Sequence, residues 1–295
     1  MRKHPVILGI CLLVLVGLFF LLMAALAGTF FGQRTLAWGD CVGVVTVEGV
    51  IRNSQEITRQ LDDFGKDNSV KAIVVRIDSP GGGVTPAQEI HDAVLTVKKK
   101  KKVVASMGAI AASGGYLIAC AADRIVANPG TVTGSISAIM HFANVEELLK
   151  KIGLKSSVVK SGRFKDIGSP TRPMTEDEKA LIQSLVDDTY DQFLDVVAKD
   201  RRISKEDLRK IADGRLFTGR QARKLGLVDE LGDLSYAVRL AGTLSGIKDE
   251  PDVVYPPKKK STFWELILQQ AVTTLAAELQ KGEALPEGLN YLYGR

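Results

Sequence analysis

Histidine and cysteine are scarce, three of each among 295 residues, and that scarcity removes whole classes of chemistry. Cys11, Cys41 and Cys120 form no CxxC pair and no cluster with histidine, which excludes the structural zinc sites built on such spacings. Cys11 lies in a long apolar run, so at most one bridge, Cys41 to Cys120, is open to the chain. The apolar surroundings of both read instead as free, buried thiols. His4 precedes the same apolar run, which leaves His91 and His141 as the only imidazoles for a serine–histidine arrangement. Strong charge is also missing. The formal net charge is +5, and it is partly local, in the runs Lys98–Lys102 and Lys258–Lys260. Both read as solvated turns, because a nucleic-acid face needs basic residues gathered with aromatic or motif support. No internal repeat and no metal-ligand spacing occurs, so no metal or cofactor is expected.

Apolar length is present at one place. Residues 5–31 carry no charge, a run longer than the ~20 residues a helix needs to cross the hydrocarbon core. Arg2, Lys3 and His4 stand before it. By the positive-inside bias this predicts a cytoplasmic N-terminus and a single-pass anchor over 1–31, with the remainder outside the cytoplasm. Ala25-Leu26-Ala27 resembles a signal-cleavage site, the competing reading. The run is longer than a usual signal core, so a retained anchor is expected.

Beyond residue 32 the hydrophobic pattern predicts strands at 42–47, 72–77, 103–107 and 125–127. They alternate with helices at 54–64, 85–98 and 112–122. That alternation implies βαβ units around a mostly parallel sheet. Helices are expected at 145–152, 175–199, 204–212 and 219–225, with a short strand at 157–159. The long one opens on Thr175-Glu176-Asp177-Glu178, the pattern of a capping box. The expected organisation is an anchor over 1–31, one α/β domain over 32–249, and a linker with an amphipathic helix (262–280) over 250–295.

Three stretches can carry chemistry. Gly81-Gly82-Gly83 follows a strand, and glycine lets backbone amides approach an anion closely; a bare triple glycine by itself reads first as a tight strand-to-helix turn. Ala112-Ser113-Gly114-Gly115 follows a strand and opens a helix, which suits an exposed nucleophile. It suits an N-cap serine as well. Lys165, between Phe164 and Asp166, serves as a base only if its ammonium is driven neutral by desolvation.

The strings RIDSPGGG, SMGAIAASGGY, TGSISAIM, VKSGRFKDIGSP and ADGRLFTGRQARKLGLVDELG, in this order, resemble the signal peptide peptidase A family, in its short form. The resemblance covers roughly residues 42–240. It implies a ClpP/crotonase-like fold and a serine endopeptidase with a Ser-Lys dyad, Ser113 as nucleophile and Lys165 as base. It further implies an oxyanion hole from the amides of Gly82 and Ser113, and Ser135 as the hydroxyl that holds the lysine amine. Remnant signal peptides are the implied substrates, with misfolded exported proteins beside them. A homo-oligomeric ring is the implied assembly; whether serine and lysine come from one subunit or from neighbouring subunits is left open by the sequence. The rival readings are a crotonase-like acyl-transfer enzyme, a non-catalytic membrane scaffold, and a peptidase using His91 or His141.

Overall fold

The structure, a computed structural model, describes residues 12–23 and 40–257. The chain divides into two units, one of Arg34–Pro256 and one of Met1–Gln33 with Pro257–Arg295. In the second unit residues 12–23 form a helix, α1, whose residues are all exposed. Among the described residues no helix is long and apolar enough to cross a membrane. The rest of the run expected as an anchor, and the expected helix at 262–280, lie outside them.

The larger unit is an eight-stranded sheet with helices on both faces. Cys41–Glu48 (β1), Val70–Ser79 (β2) and Lys102–Ala112 (β3) lie side by side in parallel. Helices Gln55–Lys66 (α2) and Val84–Lys98 (α3) make the crossovers between them. These strands read as continuous apolar runs because both of their faces are covered. Val45, Val47, Ile73, Val75 and Ile77 point into the main core with Leu61 of α2 and Ile90 and Val94 of α3. Alternate residues Val42, Val44, Ala72 and Val74 point the other way, onto Ala237, Val238 and Ala241 of Leu234–Ser245 (α9).

β3 divides its partners. Val104–Met107 pair with Arg124–Ala127 (β4), while Ile110–Ala112 pair with Val132–Gly134 (β5). The ladder between β2 and β3 shifts between Ile77 and Ser79, and Asp78 fills the irregularity. Its carboxylate accepts from Ile110 N–H at 3.1 Å. Gly108 makes room for it, since a Cβ there would lie 2.7 Å from Asp78 Cγ. β3 therefore runs on past β4, and its end delivers Gly114–Cys120 (α4) over the glycine turn that follows β2.

The remaining elements build outward from this frame. Glu146–Lys151 (α5) leads to the long helix Glu176–Arg201 (α6), which begins with the expected capping box between Thr175 and Glu178. Lys205–Arg209 (α7), Leu216–Thr218 (β6), Gly219–Lys224 (α8) and Glu230–Leu231 (β7) follow. β6 is the antiparallel member, paired with β5. Two expectations are corrected. Residues 157–159 form no strand: Val158 and Val159 are exposed, and neither enters a backbone ladder among the described residues. The stretch expected as a linker contains Asp252–Val254 (β8), which extends the sheet by pairing with β1. Cys41 and Cys120 are free and buried, as their apolar context implied.

Candidate active site

Ser113 stands where β3 ends and α4 begins, with φ 52° and ψ −122°. This left-handed backbone is unfavourable for a residue with a Cβ, and such strain is held only where the surroundings over-determine it. They do so here. The Ser113 N–H donates to Gly134 O of β5 at 2.9 Å, and Leu117 N–H donates back to Ser113 O at 2.9 Å. The side chain makes no capping hydrogen bond to the helix it precedes, so the N-cap reading does not account for this serine. Its hydroxyl has no hydrogen-bond partner among the described residues and faces a cleft.

The glycine turn packs directly against this elbow. A Cβ on Gly81 would lie 2.7 Å from Ser113 Cβ, and one on Gly82 would lie 2.2 Å from Ile51 O. Ile51 pins the turn from the far side, because its N–H donates to Gly81 O and its carbonyl accepts from Gly83 N–H. The Gly82 amide, between these two bonds, enters none among the described residues. Neither does that of Gly114, whose added Cβ would come 3.6 Å from Gly82 N. Two unpaired amides thus flank Ser113. The Ser113 amide, expected as the second oxyanion donor, is committed to Gly134 O, whereas the neighbouring Gly114 amide is unpaired among the described residues.

Gly82, Ser113 and Gly114 form one side of a cleft of about 420 Å³ that is open to solvent. Val84, Ala87 and Gln88 of α3, Leu117 of α4, Ser137 and Ala138 after β5, and Thr189, Gln192, Phe193 and Val196 of α6 complete it. The α6 wall was missed in the sequence, although Thr189, Phe193 and Val196 recur at the spacing of one helix face. The lining is mainly apolar, and it holds no histidine, lysine or carboxylate. His91 is buried elsewhere, its Nε2 2.7 Å from Asp200 Oδ2 and its Nδ1 3.1 Å from Asp92 Oδ1. His141 is exposed and does not line the cleft. Neither imidazole serves Ser113 in this arrangement.

The other expected residues are placed as follows. Ser135 directly follows Gly134, the residue bonded to Ser113, and also has a positive φ, 52°. Its N–H donates to Arg215 O at 2.8 Å. Lys165 lies in an exposed turn over 163–168, outside the cleft lining, with no side-chain partner among the described residues. Within the single chain, then, Gly82, Ser113 and Gly114 share one cleft, Ser135 follows the residue bonded to Ser113, and neither Ser135 nor Lys165 lines the cleft.

The sequence matches peptidase family S49 over residues 96–248 and the Clp protease family over residues 44–131. The slr0021 protein of Synechocystis sp. is 46% identical over 196 residues, 65% of this chain and 71% of that protein. A relative from Enterococcus faecium named signal peptide peptidase SppA is 38% identical over 181 residues, 61% of this chain and 53% of that protein. Protease 4 of Haemophilus influenzae is 37% identical over 213 residues, 69% of this chain but 34% of that longer protein.

Proposed function

The chain belongs to peptidase family S49 and is a serine peptidase, and from that premise we propose that it is a membrane-anchored Ser-Lys endopeptidase that degrades remnant signal peptides. The observation that carries this reading is the elbow itself. A serine hydroxyl without a hydrogen-bond partner among the described residues is held at positive φ beside two amides likewise unpaired, at the mouth of an apolar cleft.

In the proposed reaction Ser113 Oγ attacks a peptide carbonyl while neutral Lys165 takes its proton. The carbonyl oxygen gains negative charge and is received by the Gly82 and Gly114 amides, donors that need no rearrangement when the charge develops. Lys165, now protonated, passes the proton to the leaving amine, and water then resolves the acyl-enzyme through the same base. Ser135 holds the lysine amine by a hydrogen bond.

Lys165 reaches this site from a neighbouring copy of the chain. Two features support that geometry. Among the described residues, those lining the cleft around Ser113 include no base. The segment leading to Lys165 exposes Ile139, Met140, Phe142, Ile152, Leu154, Val158 and Val159, an apolar surface of the kind that partners cover. A homo-oligomeric ring satisfies both. Burial in such an interface also desolvates the amine, which favours the neutral form a base requires.

The substrate assignment rests on the cleft walls, where Val84, Ala87, Leu117, Phe193 and Val196 accept apolar side chains, and on the name of the Enterococcus relative. Misfolded exported proteins fit the same cleft as unfolded, apolar chains. The anchor rests on the uncharged run at 5–31. It places the peptidase domain outside the cytoplasm, at the membrane face where cleaved signal peptides remain. A fluorophosphonate probe tests the core of this reading: it is expected to label Ser113 in the parent and nothing in Ser113→Ala. Labelling of any other residue, or an active Ser113→Ala, overturns it.

A further inference from the structure

We infer that Arg172 is a positioning residue for Lys165, holding the turn that carries the base against the start of α6 and occupying the carboxylate beside it. This rests on the reading of Lys165 as the base.

The guanidinium is shared between two acids. Its Nε donates to Asp166 Oδ2 and its Nη2 to Asp166 Oδ1, both at 2.9 Å, a bidentate grip on the residue that follows Lys165. Nη1 donates to Glu178 Oε2 at 2.8 Å, and Nη2 also binds Glu178 Oε1. Nη1 reaches the Pro173 carbonyl at 3.0 Å. Glu178 is an unusual partner, because its side chain is only 3% exposed. Its Oε2 also accepts from Thr175 N–H at 2.8 Å as half of the capping box. The far end of this chain of contacts is therefore a buried carboxylate locked into the first turn of a 26-residue helix. The near end is the residue adjacent to Lys165. A planar fork that satisfies two carboxylates at once transmits orientation as well as charge.

The same arrangement solves an electrostatic difficulty. A lysine base works in its neutral form, and an unpaired carboxylate nearby favours the charged one. Asp166 is given two cations, Arg172 and Lys160, and Glu178 draws on the same guanidinium. Arg163, two residues before Lys165, pairs with Asp177 at the start of α6. The hydrogen bonds from Arg172 and Lys160 hold the Asp166 carboxyl well below the usual carboxylate range. It stays an anion throughout, with its oxygens already taken.

The test uses the full-length protein in detergent with a fluorogenic apolar peptide, measuring kcat, KM and the pH profile of kcat. Arg172→Met is expected to lower kcat tenfold or more with KM changed less than twofold. It is also expected to move the ascending limb about one pH unit upward, because loss of a nearby cation favours the charged form of the lysine even with Lys160 still on Asp166. Arg172→Met combined with Asp166→Asn is expected to return the limb to the parental pH while kcat stays low. A turn that was merely loosened would not restore it. If Arg172→Met does not fold, as judged by its melt and assembly size, Arg172→Lys carries the test, with reduced kcat at parental KM. Parental kcat and limb in whichever variant folds overturn the inference. Lys165→Ala separates the two failures. An inactive Lys165→Ala beside a parental Arg172 variant sinks only this inference, and an active Lys165→Ala sinks the assignment of the base.

Discussion

Gly82→Ala isolates the contribution of one amide to the proposed oxyanion site. The added methyl would lie 2.2 Å from Ile51 O and 2.6 Å from Ile51 N. Ordinary contact between a methyl carbon and a carbonyl oxygen needs about 3.3 Å, the spacing of the weakest C–H···O approaches. The turn must therefore retreat by roughly 1 Å, and its amide retreats with it. Misplacement by about 1 Å is enough to cost on the order of 100-fold, and loss of one oxyanion donor costs 100- to 1,000-fold, about 2.7–4 kcal/mol. We expect kcat to fall by at least about 100-fold with KM little changed, because the amide binds charge that exists only in the transition state. Gly83→Ala is the internal control. Its Cβ would lie 3.1 Å from Pro86 Cδ and its φ of −60° suits alanine, so activity should stay within a few-fold of the parent. Initial rates on a fluorogenic peptide, with melts alongside, decide the matter. A folded Gly82→Ala within fivefold of the parent refutes the oxyanion assignment. Equal damage from Gly83→Ala would trace the loss to the turn as a whole.

Three further outcomes follow from the packing. Tyr116→Phe removes a hydroxyl that donates to Leu227 O at 3.0 Å with both residues fully buried. Stranding that carbonyl costs about 1–3 kcal/mol, so scanning calorimetry should show a Tm lower by several degrees while kcat holds. Burial pushes the Cys120 thiol up to about 12, so iodoacetamide at pH 8 should leave it unmodified in the native protein and alkylate it after denaturation. Glu178 is lowered to about 2, chiefly by its hydrogen bonds from Arg172 and then by the Thr175 amide. A carboxyl with a depressed folded pKa adds stability that is complete above its unfolded value of 4.5 and is lost as pH falls toward about 2. The urea midpoint of Glu178→Gln should therefore depend less on pH across that window than the parent's.

The parts of the fold that were legible in the sequence are those whose pattern is set locally. β1 to β4 announce themselves as apolar runs because helices cover both faces, and the capping box at Thr175 is written within four residues. β5, β6, β7 and β8 were not legible. Each is two or three residues long and exists only because a distant strand offers an edge, as β1 does for Asp252–Val254. The site divides along the same line. Small residues around Ser113 and the triple glycine marked the elbow, since close backbone approach demands them. Which amide remains unpaired depended on the register of β5 against β3, which commits the Ser113 N–H to Gly134. The α6 wall of the cleft likewise arises from packing between segments far apart in the chain.

The central claim is a catalytic pair assembled from two copies of the chain, and subunit mixing tests it most directly. Ser113→Ala and Lys165→Ala, each inactive alone, are dissociated together and reassembled into mixed rings. Neighbours then bring an intact serine from one variant beside an intact lysine from the other, and peptide cleavage should return to a substantial fraction of the parental rate. Mixed rings of verified composition that remain inactive, beside parental protein that regains activity by the same procedure, would contradict the account.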